Sequence, residues 1–278
     1  MTPRQLHIVL RAGRRDASQL AEAAISFFEE DGWVVTRSVL EDDVSLPAAL
    51  ASETDVVLAL GGDGTFLEAV RLAYPAAAVV AGVNLGRLGY LAGFEPDEAQ
   101  ALFDNIRSDG SGTSERSVLL GTRSAAEAES PRQEFALNEF TLEKTDPGHL
   151  ARVAVSINGV PFATYSADGL IIATPTGSTA YAMSARGPIV SPGLDCLLFV
   201  PVAPHMLFDR AMVLGPGDVI ECRAERDCVV TADGRVAQKL LAGESMKFVL
   251  GQRRLRLIEA PRDFHQVLRQ KFRLMEIP

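Results

Sequence analysis

At 278 residues, with 47% hydrophobic and 23% charged residues, the chain has the composition of a globular enzyme of one large or two modest domains. No apolar run approaches the roughly 18–20 residues of a membrane-spanning helix, and a formal charge of −9 argues against nonspecific binding to nucleic acid or an acidic membrane. Cys196, Cys222 and Cys228 are too few and too irregularly spaced for a disulfide framework or a zinc site, and the N-terminus runs into a strand with no signal peptide, so a cytoplasmic protein with buried reduced thiols is expected.

The first hundred residues alternate strand and helix. Strand 7–11 leads into a helix over 17–30, whose Leu20, Ala23, Ala24, Phe27 and Phe28 form an apolar stripe, and Asp31-Gly32 ends it before the strand at Trp33-Val34-Val35. A continuous apolar strand follows at 55–60, then a helix from Thr65 to Ala73, a strand at 78–83 and a helix over 96–106. This alternation predicts an open parallel α/β domain with ligands at the carboxyl ends of its strands. From Arg107 to Gln133 the composition shifts to Ser, Gly, Thr, Glu and Arg, which reads as an exposed connection. Beyond it the pattern changes class: a hairpin turns at Asn158-Gly159, and strands at 197–200, 219–223, 229–231 and 246–250 predict an all-β, sandwich-like second domain. The expected division is 1–107 with 254–278 for the α/β domain and 115–253 for the β domain. The last stretch, from Gly251, carries seven basic and three acidic residues on an amphipathic pattern in which Phe264, Val267, Leu268, Phe272 and Leu274 ask for burial.

Chemistry concentrates in Gly61-Gly62-Asp63-Gly64-Thr65-Phe66, a glycine turn between a buried strand and a helix. Gly61, Gly62, Gly64 and Thr65 bring free N–H groups to a helix start, where a phosphate would bind. Asp63 has no place in a site that merely binds phosphate, because it repels one. It makes sense as the acceptor of a proton from an attacking hydroxyl or as a group facing a metal; the plain alternative is a turn-former. Asn138-Glu139 combines an amide able to pair with an adenine edge and a carboxylate able to accept from ribose hydroxyls. The run Ala167-Asp168-Gly169 through Gly177-Ser178-Thr179-Ala180-Tyr181-Ala182-Met183-Ser184 adds small hydroxyls and one ring suited to a nucleoside.

With Gly82-Val83-Asn84-Leu85-Gly86-Arg87-Leu88-Gly89-Tyr90, these blocks in this order resemble the NAD kinases from the first strand to the C-terminus. The resemblance implies phosphorylation of the adenosine 2′-hydroxyl of NAD to give NADP, with ATP and Mg²⁺, or polyphosphate, as donor system and Asp63 as base. It assigns the dinucleotide to Gly64, Phe66, Asn138, Glu139, Asp168 and the run Thr179, Ala180, Tyr181, Ala182, Met183, Ser184, with His149, His205 and Arg235 as further candidates. It also implies a C-terminal segment that returns to the first domain and a homodimer or homotetramer; metal ligands are not legible. A lipid kinase sharing the GGDGT turn and a noncatalytic dinucleotide-binding regulator are the alternatives. The chain departs from the family pattern at Arg186-Gly187, where two glycines are usual, and at Arg210-Ala211, where Arg-Pro is usual. No lysine stands in the glycine turn to meet the donor's charge.

Overall fold

A computed structural model describes residues 3–41, 50, 54–86, 89–108, 112–124, 133–260 and 262–273. Arg87 and Leu88 of the second motif, part of the 107–133 connection and Leu274 lie outside the described residues. The chain divides into two units, Met1–Glu115 with Leu255–Pro278, and Arg116–Arg254.

In the first unit β1 (Gln5–Arg11), α1 (Arg15–Glu30), β2 (Val34–Leu40), β3 (Val56–Gly61), α2 (Asp63–Ala76), β4 (Val79–Asn84), a 3-10 turn (Pro96–Glu98), α3 (Ala99–Arg107) and β5 (Thr113–Arg116) follow one another. β1 pairs in parallel with β2 and β3, and β3 with β4. Every residue of β3 is buried, as its unbroken apolar run requires of a strand covered on both faces. One face packs Leu58 and Leu60 with Phe28, Leu102, Phe103 and Ile106 from α1 and α3. On the other, the Phe66 ring of α2 lies so close to Gly82 that a Cβ there would come within 2.7 Å of it. His7 is buried, its two ring nitrogens 2.8 Å and 3.0 Å from the Thr36 and Ser38 hydroxyls of β2. Whereas the apolar pattern places the second helix from Thr65, α2 begins at Asp63: Gly62 takes the extended capping conformation, and a carboxylate in the first turn is favoured by the helix dipole.

The second unit comprises β6 (Leu119–Arg123), β7 (Gln133–Ala136), β8 (Glu139–Lys144), β9 (Ala151–Ile157), β10 (Val160–Ala167), β11 (Gly169–Ala173), a 3-10 turn (Thr176–Thr179), α4 (Tyr181–Ser184) and β12 (Leu197–Val202). It continues through β13 (Met212–Leu214), β14 (Ile220–Ala224), β15 (Cys228–Ala232), β16 (Arg235–Leu240) and β17 (Ser245–Leu250). Two antiparallel sheets result, in the orders β10-β9-β14-β17-β6-β7 and β13-β12-β11-β8-β15-β16. Val153, Val155, Ile220 and Phe248 of the first share a core with Phe140, Leu142, Ile172, Phe199 and Val230 of the second, which is sandwich packing. The hairpin β9–β10 turns at Asn158 and Gly159, with φ of 52° and 78°, the left-handed pair a two-residue hairpin needs. The exposed connection expected over 107–133 is corrected in part, since it contains β5 and β6. Both are short: β5 is wholly polar, Thr-Ser-Glu-Arg, and β6 has only two leucines before Gly-Thr-Arg, too few to show an alternating pattern.

The chain then returns to the first unit. β18 (Leu255–Ile258) joins the parallel sheet beside β4, completing the order β2-β1-β3-β4-β18-β5, and α5 (Phe264–Phe272) follows, capped by Asp263 accepting the His265 N–H at 2.7 Å. Phe264, Val267 and Leu268 are half-buried and Phe272 is exposed, so the apolar side of α5 is only partly covered. All three cysteines are buried and free. No described helix is long and apolar enough to cross a membrane.

Candidate functional site

In the first unit Asp63 opens α2 at the carboxyl end of β3, and its carboxylate is held by the segment after β4. Oδ2 accepts the Tyr90 N–H at 2.9 Å, while Oδ1 accepts the Leu91 and Ala92 N–H groups at 3.1 Å and 3.4 Å. Gly89 makes this approach possible, because the first carbon of any side chain there would run into the Asp63 carboxylate. A carboxylate offers about four acceptor positions, so three are occupied and the one left is on Oδ2. The N–H groups of Gly64 and Thr65, in the first turn of α2, have by position no acceptor within the helix. Gly61 and Thr65 are buried, Gly62 is half-buried and Gly64 is exposed, so Gly64 presents the accessible N–H of this turn. Phe66, the fourth residue of α2, is 1% exposed, with its ring packed in the core against Gly82 of β4.

Next to this turn, Leu85 donates to the Gly61 carbonyl at 3.2 Å and Gly86 to Asn84 Oδ1 at 3.1 Å. Asn84 is 1% exposed, and its Nδ2 has no partner among the described residues. Asn84, Leu85 and Gly86 line a cavity of about 480 Å³ with Asp16, Gln19 and Glu95. Arg14 is committed to Asp16 and to the Leu85 carbonyl.

In the second unit Asn138 and Glu139 form the corner where β7 passes into β8, and two side chains that sequence reasoning missed build it. Asp233 accepts the Leu137 N–H on Oδ2 at 2.8 Å, and the Asn138 and Glu139 N–H groups on Oδ1 at 2.7 Å and 3.2 Å. Its own N–H returns to the Glu139 carbonyl at 3.0 Å, from a backbone with φ of 48°. Thr174 donates its hydroxyl to the Leu137 carbonyl at 2.6 Å and accepts the Gly177 N–H at 3.1 Å. Gly177 must lack a side chain, since a Cβ would strike the Asn138 carbonyl. The signal was present in Asp233-Gly234, a tight-turn pair between strands, although nothing in the sequence ties it to a corner ninety-odd residues away.

Glu139 is 6% exposed and its Oε2 has no partner among the described residues. Burial, with Asp233 nearby, pushes its carboxyl up to about 8, against the Tyr181 N–H at the start of α4, which pulls it down. Glu139 and the 179–184 run are therefore brought together. A carboxyl near neutrality can donate to or accept from a ribose hydroxyl.

The remaining candidates are more dispersed. The Thr179 hydroxyl donates to the Thr176 carbonyl at 3.2 Å and Ser178 bridges both backbone groups of Val190, so these hydroxyls secure the turn. Ala182 is fully buried, Ala180 and Met183 are half-buried, and Tyr181 and Ser184 are exposed. Asp168 pairs with Lys144 at 2.5 Å. His149 is exposed on the β8–β9 loop and pairs with Asp146 at 2.8 Å; His205 is exposed, its N–H on the Ser166 carbonyl; Arg235 is exposed at the start of β16. Arg186 is exposed with φ of 64°, which explains the family's glycine preference there.

Both units are similar to known proteins. The ATP-NAD kinase N-terminal domain model matches residues 8–110 and the C-terminal domain model residues 137–260. NAD kinase 1 of Streptomyces coelicolor is 33% identical, over all of this chain and 88% of its own length. The NAD kinase of Heliobacterium modesticaldum is 39% identical over 79% of this chain and 78% of its own, and that of Nocardia farcinica 34% over 98% and 92%. Among solved structures, yeast NADH kinase complexed with NADH superposes with a TM-score of 0.85 at 22% identity, covering 99% of this chain and 89% of its own. An Archaeoglobus fulgidus NAD kinase in complex with ATP does so with a TM-score of 0.76 at 23% identity, covering 98% and 100%, and shares the fold. The corner at Asn138-Glu139 and the Asp63 turn thus stand in a protein whose two units both match the same enzymes over most of their length, and the chain belongs to the NAD kinase family.

Proposed function

We propose that this NAD kinase phosphorylates the 2′-hydroxyl of the adenosine ribose, with Asp63 as general base and the terminal phosphoryl group of ATP as the group transferred. The observation that carries the reading is the acceptor inventory of Asp63: three backbone N–H groups fix the carboxylate and leave one lone-pair position on Oδ2. A hydroxyl hydrogen-bonded there loses its proton to Oδ2 as its oxygen bonds the terminal phosphorus, and the bond from that phosphorus to the bridging oxygen breaks to release ADP. The unsatisfied N–H groups of Gly64 and Thr65 suit the phosphate oxygens. Glu139 and Asn138, stiffened by Asp233 and Thr174, suit the adenosine.

Among the described residues no group of three or more His, Cys, Asp or Glu side chains could hold a metal. Magnesium keeps several waters and binds largely through substrate phosphates; with the one open acceptor position of Asp63 given to the hydroxyl, the ion would be held by the phosphates of the donor. When bound, the ion supplies neutralisation of the phosphate charge. Polyphosphate remains a second donor on the same turn, since the N–H groups there recognise phosphate and not a nucleoside. The two structural neighbours were solved with NADH and with ATP, the ligand classes this reading requires.

Incubation with NAD, ATP and Mg²⁺, followed by phosphorus NMR of the product, tests the reading. A 2′-phosphorylated product is expected, and no product from the 2′-deoxy analogue, because proximity to one base selects the nucleophile. A 3′-phosphate, or equal reaction of the deoxy analogue, overturns it.

A further inference from the structure

The glycine turn contains no lysine, yet its one side-chain charge is negative, and an incoming polyanion must overcome it. The C-terminal helix answers this deficit. Lys271, in the last turn of α5, holds its Nζ 3.7 Å from the centroid of the Tyr90 ring, and the N–H of that same Tyr90 is bonded to Asp63 Oδ2. The ammonium is within electrostatic reach of Asp63. Lys271 forms no ion pair among the described residues, and it is exposed. Arg14, Arg107 and Arg262, by contrast, are spent on Asp16, on Asp104, and on Glu95 and Glu98.

We propose that Lys271 is the missing phosphate-binding lysine of this kinase: delivered by the C-terminal helix and propped on the Tyr90 ring, its ammonium receives the terminal phosphate of the donor beside Asp63. This rests on the kinase reading above. An aromatic face attracts the cation without neutralising it, so the charge stays available to a ligand, whereas a carboxylate partner would consume it. Where its ammonium rests on the ring, partial loss of water pulls it below the ordinary lysine value, and Asp63 opposes this. The compact lysine charge suits a phosphate whose oxygens turn during transfer.

The test is inorganic tripolyphosphate binding by calorimetry to the full chain and to Lys271→Met and Lys271→Arg, with steady-state kinetics for NAD and ATP alongside. Removing a charged hydrogen-bond donor should weaken tripolyphosphate roughly ten- to a hundredfold and raise the KM for ATP similarly, with the KM for NAD unchanged and most of the loss restored by arginine. Unchanged tripolyphosphate affinity in Lys271→Met overturns the proposal, including where its melting temperature falls, for then Lys271 only anchors α5. A wild-type chain making no NADP would instead remove the kinase reading. Should Lys271→Met fail to fold, the wild-type chain still decides: it has four lysines, so the Lys271 side-chain NMR signal, assigned with Lys271→Arg, must shift with tripolyphosphate, and a stationary signal refutes the contact.

Discussion

Asp63 is placed by three backbone donors and one glycine, and because both its oxygens accept N–H groups, an asparagine there removes the base and also sets its NH2 against one of those donors. Asp63→Asn should cost roughly 10²–10⁴-fold in kcat, the contribution of a positioned general base, while NAD binding measured by calorimetry is retained. Near-normal turnover in the folded variant would take Asp63 out of the mechanism. Glu139 makes a prediction of opposite character. Its carboxyl, buried beside Asp233, is raised to about 8 in the folded chain from an ordinary value of 4.5, so the unfolded chain releases that proton first. Stability linked to Glu139 is therefore fully present below about 4.5 and is lost as pH rises through about 8. Urea titrations of the ligand-free protein should show that decline, and Glu139→Gln should flatten it; an unchanged slope would mean that Glu139 is solvated. Both residues were legible as chemistry in a motif. What the sequence could not reveal was the supporting set, Asp233, Thr174 and Gly89, because each acts across a turn that only the folded chain closes.

At the scale of elements, legibility followed the strength of the periodic signal. The buried run of β3 was plain, since it repeats one pattern over several residues; in α1 the expected stripe was right at Ala24 and Phe28, but Ala23 is exposed and Ala17 and Ala21 complete the buried face. β5 and β6 were not, because a four-residue polar strand and a five-residue strand with only two leucines look like loop until a neighbouring strand supplies their hydrogen bonds. The turn after α4 shows local chemistry set against conformation. Arg186 holds φ of 64° while its N–H reaches the Met183 carbonyl at 3.0 Å and Gly187 packs on the Ala182 carbonyl. A non-glycine residue in that region costs about 1–2 kcal/mol, partly offset by the freedom glycine adds to the unfolded chain. Arg186→Gly should thus raise the unfolding free energy by roughly 1 kcal/mol, measured with urea. A loss of stability would show that the arginine side chain has a role outweighing its backbone strain.

For the whole molecule, the change from alternating strand and helix to unbroken strands was readable from composition alone, and two antiparallel sheets follow the parallel one. The place of residues 255–258 was not readable, because four residues with two leucines and an isoleucine match many strands, and only the sheet shows which edge they complete. That insertion makes the parallel sheet discontinuous in the chain: β4 gains its outer neighbour only after all of β6–β17 has been made. Deleting everything from Leu255 onward should accordingly leave hydrogen exchange protection in the strands of residues 116–254 and abolish it in β3 and β4; protected β3 amides in the shortened chain would contradict this. On the ribosome the consequence is one of timing. Phe94 bridges the Gly82–Asn84 end of β4 early, but a nascent chain carries the apolar edge around Val80 unpaired through the whole synthesis of the intervening sheets, and such an edge is a template for pairing with other chains. The enzyme's window of vulnerability to aggregation therefore spans half its translation, and slowing elongation within residues 116–254 should lower its soluble yield more than slowing it anywhere before β4.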